Sequence, residues 1–594
     1  MFLFRLFRSF LPLHNPIGFG ADDFVELGLA ALLVLLILFH ARTTAWLQSL
    51  ARRTWLSMLL LAVLPVALRL ALLPQSPIPT PGGADDFAHL LAGDTLLHGR
   101  LANPPHPLHQ FFETVFVLQE PAYSSIFPIG QGVALALGRL LFGHPWAGVV
   151  LSVAALCSLC YWMLRAWTTP GWALVGGLLA VIEFGPLRYW MNTYWGGAVS
   201  AAAGCLVFGA LPRLRRGART RDAVLLGLGI GIQLLARPFE CVLLVLAAIL
   251  FFVPKLRLHS DWRKLARTTS IAVIAALPAV GLTLVQNKQA TGSWTTLPYM
   301  LSRYQYGIPT TFTIQPNPTP HLPLTADQPL DYDAQSAVHG QRAETIGSYV
   351  ERLAGRVRFY RFFFLPPLYL ALPFFLLSLR EFRFLWVVMA LLIFSLGDNF
   401  YPYFYPHYIA AGACLFVLVS VTGLERLSHW KIRGDLAGLA ASQLLVILCA
   451  ISFLFWYGFH LFADENASLA MLQYETWNFV HHGDPDGRIA VNNRLAQAAG
   501  KQLVFVRYWP RHMFAEWIHN AADIDRSRIV WAQDLGSVDN EKLRTYYRDR
   551  TAWLLEPDAR PPKLGPYRQE TPPVSPKPEA PSPEQNGIQL LPVP

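Results

Sequence analysis

The chain has 594 residues, of which 53% are hydrophobic and only 14% charged, and its formal net charge is +10. Soluble globular domains carry about 25% charged residues, so this composition excludes a wholly soluble chain and points to lipid. The basic excess is not by itself a sign of nucleic acid, because the cytoplasmic loops of membrane proteins also collect Lys and Arg.

Met1 to Phe10 is apolar, carries Arg5 and Arg8 and lacks a small-residue cleavage site, which predicts a retained interfacial segment within 1–23. Apolar runs of the length that crosses the hydrocarbon layer then recur. They lie near 24–41, 55–73, 147–165, 171–190, 194–212, 222–237, 238–254, 268–286, 358–378, 384–399, 404–422 and 438–461. They predict a transmembrane region of about twelve helices over 24–463. Basic clusters at Arg213 to Arg221, Lys255 to Arg267, Arg380 with Arg383, and Arg426 to Arg433 mark the cytoplasmic loops. That parity holds only if Ile126 to Gly143 lies along the far interface instead of crossing. The long segments 74–146 and 287–357 and everything after the last span then fall on the non-cytoplasmic side. All six cysteines (Cys157, Cys160, Cys205, Cys241, Cys414, Cys449) sit in apolar stretches, so the Cys157/Cys160 pair reads as helix packing. Gly227, Gly229 and Gly231 lie inside an apolar span without a preceding strand, which predicts close helix packing and not a dinucleotide loop.

From 464 to 558 the composition turns polar. A helix over Asn492 to Lys501, a strand over Gln502 to Arg507, a strand over Arg528 to Trp531, a helix over Asn540 to Arg548 and a strand over Thr551 to Leu555 predict a small α/β unit with a short parallel sheet. Its polar and aromatic residues Arg507, Arg511, His512, Glu516, Trp517, Asp523, Asp525 and Trp531 suit either acceptor recognition or docking onto the membrane region. Proline recurs over 559–594 with little to bury, which predicts a disordered tail. Asn466-Ala467-Ser468 fits a glycosylation sequon. The fold class expected is an all-α polytopic membrane domain, with juxtamembrane helices in its first outer loop, plus a small C-terminal soluble α/β domain.

The first outer loop carries the most informative stretch, Gly82-Gly83-Ala84-Asp85-Asp86-Phe87-Ala88-His89, with Asp94, His98-Gly99-Arg100 and Asn103 to Pro107 after it. Paired carboxylates just beyond a span can act as a general base on an incoming hydroxyl. They equally suit the cap of a helix that starts at Phe87. Charge at membrane depth is expensive and usually functional, which draws attention to Arg237 in Arg237-Pro238-Phe239-Glu240 and, less so, to Arg188 and Arg303 at segment edges. Asp398-Asn399-x-Tyr401-x-x-x-x-Pro406-His407-Tyr408 reads as an interfacial aromatic belt or a substrate site.

Three motif strings carry a family likeness. They are Asp85-Asp86 with Ala92 and Gly99-Arg100-Leu101; Tyr123-x-x-x-x-Pro128-x-x-Gln131-Gly132 with Leu141-Phe142-Gly143; and Tyr189-Trp190-x-Asn192-x-Tyr194-Trp195-Gly196-Gly197. Together they resemble the GT-C superfamily of polyprenyl-phosphate-dependent membrane glycosyltransferases. The nearest branch holds the protein O-mannosyltransferases, the lipid A aminoarabinose transferase and the Rgt-like lipopolysaccharide galacturonosyltransferases. The chain departs from that pattern at Ile126-Phe127-Pro128-Ile129, where related sequences read Lys-Tyr-Pro-Pro and the lysine serves the donor phosphate.

The resemblance implies an inverting sugar transfer from a polyprenyl-phosphate lipid to a hydroxyl of a glycan, lipid or protein on the non-cytoplasmic face of a bacterial inner membrane. It makes Asp85 the catalytic base with Asp86 beside it. Arg237, Glu240, His407, Tyr408, Tyr194, Arg188, Arg303 and Gln131 become the candidate substrate-binding residues. The partners implied are the lipid-linked sugar and its acceptor, with no nucleic acid, and neither a cofactor nor a metal is expected. Two other classes fit a multi-span chain: a transporter or flippase of a lipid-linked or charged solute, for which Glu183 is the deep acidic candidate, and an inactive membrane assembly subunit.

Overall fold

The computed structural model describes residues 26–28, 30, 45–256, 262–325, 328–340, 344–431, 434, 436–463, 479–480, 482–510, 512 and 515–568. The expectations for the interfacial segment 1–23, for all of 24–41 except 26–28 and 30, for the Asn466 sequon, for Arg511 and for 569–594 lie outside the described residues.

In chain order the helices of the membrane region and its outer loops include α1 (Thr54–Ala71), α2 (Ala84–Leu97), α3 (Gly130–Phe142), α4 (Trp146–Leu164), α5 (Ala198–Arg216), α6 (Thr220–Ala236), α7 (Pro238–Leu256), α8 (Trp262–Thr291), α9 (Ile346–Gly355), α10 (Phe382–Asp398), α11 (Ala413–Ser428) and α12 (Ala437–Phe462). Among the described residues six helical stretches are long and apolar enough to cross a membrane: α1, α4, α5, α8, α12 and Pro406–Ser428, which contains α11. Other expected spans take shorter forms. The run near 171–190 is helical over Pro170–Phe184, gives way to Gly185 and Pro186, and turns helical again only in the short Tyr189–Asn192. The run near 358–378 is divided among short helices such as Val357–Tyr360, Pro366–Leu370 and Leu372–Phe375, because Pro366, Pro367 and Pro373 each withhold a backbone donor.

Helix α3 has 13 residues, about 20 Å of helix, too short to cross about 30 Å of hydrocarbon. It exposes Leu137, Leu140, Leu141 and Phe142 and buries Gly132, Leu135 and Gly138. A Cβ on Gly138 would lie 2.1 Å from the Gly148 nitrogen, so only glycine lets α3 lie this close to α4. In the same way a Cβ on Gly227 would lie 2.1 Å from the Ala272 carbonyl oxygen, which seats α6 on α8.

The C-terminal domain has strands β1 (Lys501–Val506), β2 (Ile529–Gln533), β3 (Arg550–Glu556) and β4 (Lys563–Pro566) in the order β2-β1-β3-β4. β1 runs parallel to β2 and β3, with Leu503 opposite Val530 and Ala552, and β4 closes the edge antiparallel to β3. Helices α13 (Arg488–Gln497) and α14 (Ser537–Tyr546) flank the sheet. The first begins four residues before the expected start because the Asp484 carboxylate accepts the Ile489 and Ala490 N–H groups. β4 corrects the expectation of a disordered tail from 559. Its chain pairs with β3 at the sheet edge, where prolines are tolerated, and buries Leu564.

β1 is buried on both faces, which explains its unbroken apolar run. Val504 and Val506 pack with Val491, Leu495 and Leu555. Leu503 and Phe505 pack with Ala88 and Leu91 of α2 and with Phe111, Phe112 and Tyr123 of the first outer loop. The membrane region thus supplies one wall of the C-terminal domain's core. Phe505→Ala is expected to cost about 3–5 kcal/mol, read from thermal unfolding in detergent. It should also speed amide exchange in α2; faster exchange confined to residues 488–566 would show that the two parts do not share a core.

Candidate active site

The site is built around the start of α2. The helix begins at Ala84, not at Phe87, with extended Gly83 as its N-cap. The Asp86 carboxylate supplies the cap by reaching back. One oxygen accepts the Gly82 and Gly83 N–H groups at 3.1 and 3.2 Å, and the other accepts the Tyr194 N–H at 2.8 Å. The Gly82 carbonyl accepts from the Glu516 N–H at 2.9 Å and from Arg488 at 3.2 Å, so the C-terminal domain clamps the same turn from outside. Farther along α2, Asp94 accepts from Arg139 at 2.9 Å and from the Ala522 N–H at 2.7 Å.

With Asp86 engaged in this way, Asp85 stands apart. It is half-buried, and its carboxylate makes no hydrogen bond or ion pair with another residue among those described. Burial, reinforced by the neighbouring Asp86, pushes its pKa up to about 7 against the opposing charge of Arg237. Four residues on, and so on the same face of the helix, stands His89. Its ring stacks on Phe127 at 4.5 Å and its Nδ1 is buried without a partner. Burial, then the charge of Arg237, pulls its pKa down to about 3, so the ring is neutral.

Arg237 ends α6 in an extended conformation, as a residue before proline is biased to do, and Pro238 opens α7. Its guanidinium pairs with Glu240 at 3.2 Å and lies over the Tyr408 ring at 4.8 Å. Its charge also acts on His407 and on Asp398 at the end of α10. Both carboxylate oxygens of Asp398 are buried without a hydrogen-bond partner among the described residues. The His407 N–H donates to the Tyr189 hydroxyl at 3.1 Å, and that hydroxyl lies 3.3 Å from His407 Nδ1. With the hydroxyl donating to Nδ1, the ring carries an N–H on Nε2, which has no partner among the described residues.

Of the residues singled out in the sequence, Asp85, Arg237, Glu240, His407 and Tyr408 share one electrostatic neighbourhood. Tyr194 and Gln131 are placed differently from a substrate-binding role. Tyr194 is buried, its hydroxyl donates to the Pro79 carbonyl at 2.9 Å, and its own carbonyl accepts from Gln131 at 2.7 Å, so the pair underpins the Asp86 turn. Arg188 is taken up by Glu183 at 3.6 Å, and Arg303 by the Pro309 and Thr310 carbonyls, each at 3.1 Å. Asp86 likewise holds the turn, with both oxygens engaged by backbone N–H groups. His89, Tyr189 and Asp398 join the neighbourhood; all three stand in the stretches singled out in the sequence, but none is assigned to the site there. Among the described residues no group of three or more His, Cys, Asp or Glu side chains is arranged to hold a metal ion. All six cysteines are buried and free. Of the polar cluster in the C-terminal domain, Asp525 meets His106 of the first outer loop at 3.3 Å, while Trp517 lies under Arg488 at 4.2 Å within the domain.

Several solved structures are similar in outline. The apo state of ArnT from Cupriavidus metallidurans is 14% identical, covering 83% of this chain and 92% of that one at a TM-score of 0.47. The same protein bound to undecaprenyl phosphate is 13% identical at the same coverage and TM-score. The archaeal oligosaccharyltransferase AglB from Archaeoglobus fulgidus, in complex with an inhibitory peptide and a dolichol-phosphate, is 11% identical, covering 85% of this chain and 69% of that one at a TM-score of 0.44. No family model and no curated protein matches the sequence.

The two adjacent aspartates should respond differently to substitution. Asp86→Ala strands three backbone donors and is expected to cost at least about 2 kcal/mol in thermal unfolding. Asp85→Asn breaks no bond and should stay within about 0.5 kcal/mol of the parent. Equal losses would mean that Asp85 also holds the fold.

Proposed function

We propose that the protein is a membrane glycosyltransferase of the GT-C type. It moves a sugar from a polyprenyl-phosphate lipid to a hydroxyl of a glycan, lipid or protein, with inversion, on the non-cytoplasmic face of a bacterial inner membrane. The observation that carries this reading is the Asp85 carboxylate, unpartnered among the described residues, in the field of Arg237, whose charge also acts on His407. The motif strings around Asp85 and Tyr189 add their resemblance to it.

The chemistry follows from charge. An acceptor hydroxyl attacks the anomeric carbon, the bond from that carbon to the lipid phosphate breaks, and the hydroxyl proton passes to Asp85. The leaving phosphate gains negative charge, which Arg237 and the His407 Nε2–H are suited to receive. Glu240, paired with Arg237 at 3.2 Å, fixes the guanidinium's orientation. His89 is neutral at physiological pH and offers a hydrogen bond to a sugar or acceptor hydroxyl without competing for the phosphate. Glu183, on which a transporter reading would rest, is paired with Arg188.

Asp85 works as a base only when ionised, and its pKa is raised to about 7. Sugar transfer from a polyprenyl-phosphate donor should therefore fall as pH drops below about 7 and level off above it. Asp85→Asn should lower kcat by about 10²–10⁴ and abolish that pH dependence. Undiminished turnover by a folded Asp85→Asn protein would remove Asp85 from the mechanism.

A further inference from the structure

Helix α9, in the second large outer loop, presents three distinct faces. On one, Tyr349 donates through its hydroxyl to the Leu396 carbonyl at 2.6 Å, and Arg352 donates to the Asn399 carbonyl at 2.8 Å. Asn399 returns a bond to the Tyr349 carbonyl at 2.9 Å. At the C-cap of the helix, Arg356 donates to the Asp398 carbonyl at 2.7 Å and to the Tyr401 carbonyl. These bonds fix α9 at the level where α10 ends, beside the candidate active site.

The second face is apolar and uncovered. Ile346 and Val350 are 86% and 55% exposed, Val357 at the start of the short helix that follows (Val357–Tyr360) is 51% exposed, and their spacing of four and seven residues lines them up in one stripe. The third face is polar, with exposed Ser348 and Glu351. A helix held to the protein on one side, greasy on the next and polar on the third has the division of an interfacial helix. What covers the greasy face is indicated by its neighbour. α10 exposes Leu385, Met389, Leu392 and Leu396, a stripe with helical spacing suited to lipid. The carbonyl of Leu396, the last residue of that stripe, is the one that receives the Tyr349 hydroxyl. The apolar face of α9 therefore continues the stripe past the point where α10 stops.

We propose that α9 lies in the phospholipid interface of the bilayer, with Ile346, Val350 and Val357 dipped into the acyl boundary, and that the membrane surface thereby braces the active-site segment. The brace runs through Arg352 and Arg356, whose bonds hold 398–401, the chain that leads into His407 and Tyr408. This inference rests on the membrane-spanning helices and not on the transferase reading.

The test uses the full-length protein in vesicles of phosphatidylcholine and phosphatidylglycerol. Nitroxide labels are attached in turn through Val350→Cys and Glu351→Cys, the six native cysteines being buried. Collision with oxygen, which concentrates in lipid, is compared with collision with a water-soluble nickel chelate. The expected result is an oxygen-to-nickel ratio several-fold higher at 350 than at 351. Equal ratios, or a label at 350 shielded from both reagents, would overturn the proposal, the first by placing the stripe in water and the second by placing it under protein.

Discussion

The Asp86 carboxylate ties the turn that enters α2 to the distant segment around Tyr194. Its two oxygens take N–H groups from Gly82, Gly83 and Tyr194, residues more than a hundred positions apart. A buried carboxylate tolerates loss of water only when donors replace it. Here the donors are all backbone, so the carboxylate fixes the path of the chain itself. The start of α2, the 189–197 segment and the entry from α1 are thereby locked in one geometry. Arg69 extends the lock: it reaches from the end of α1 to Asn192 at 2.8 Å and to the Ser76 and Pro77 carbonyls at 3.1 Å. Because Asp86 is committed in this way, its neighbour is free, and adjacent identical residues come to have different work.

Around that free carboxylate the protein gathers charge from elements far apart in sequence. Arg237 comes from a break between two helices, Asp398 from the end of another, and His407 from the turn that leads into α11. Each lies at a helix terminus, where the backbone changes direction and a side chain can reach a shared space without crossing a packed interior. The helices bring these termini to one level, and burial then shapes their chemistry by holding Asp85 close to neutrality and keeping His89 uncharged.

How far the sequence discloses this arrangement depends on the range of the interaction concerned. The apolar runs, the α/β alternation after 464 and the paired aspartates are local patterns, and they are legible. The division of labour between Asp85 and Asp86 is not, because it depends on the Tyr194 N–H, which no spacing predicts. Tyr194 and Gln131 stand in the motif strings for the same reason that they are buried: they hold the site from beneath, and a motif does not distinguish support from contact. β4 was hidden by its prolines, which suggested a tail although an edge strand accommodates them. The run near 358–378 was misleading in the opposite sense, since its hydropathy suits a span and its prolines do not.

The sheet of the C-terminal domain buries Leu503 and Phe505 against Ala88, Leu91 and the aromatic residues of the first outer loop, some four hundred positions earlier in the chain. During synthesis the early loop emerges long before its partner strand exists. Until β1 arrives, the turn bearing Asp85 lacks its outer clamp, so the acid that gives the site its character is set in place only after some four hundred further residues have been made.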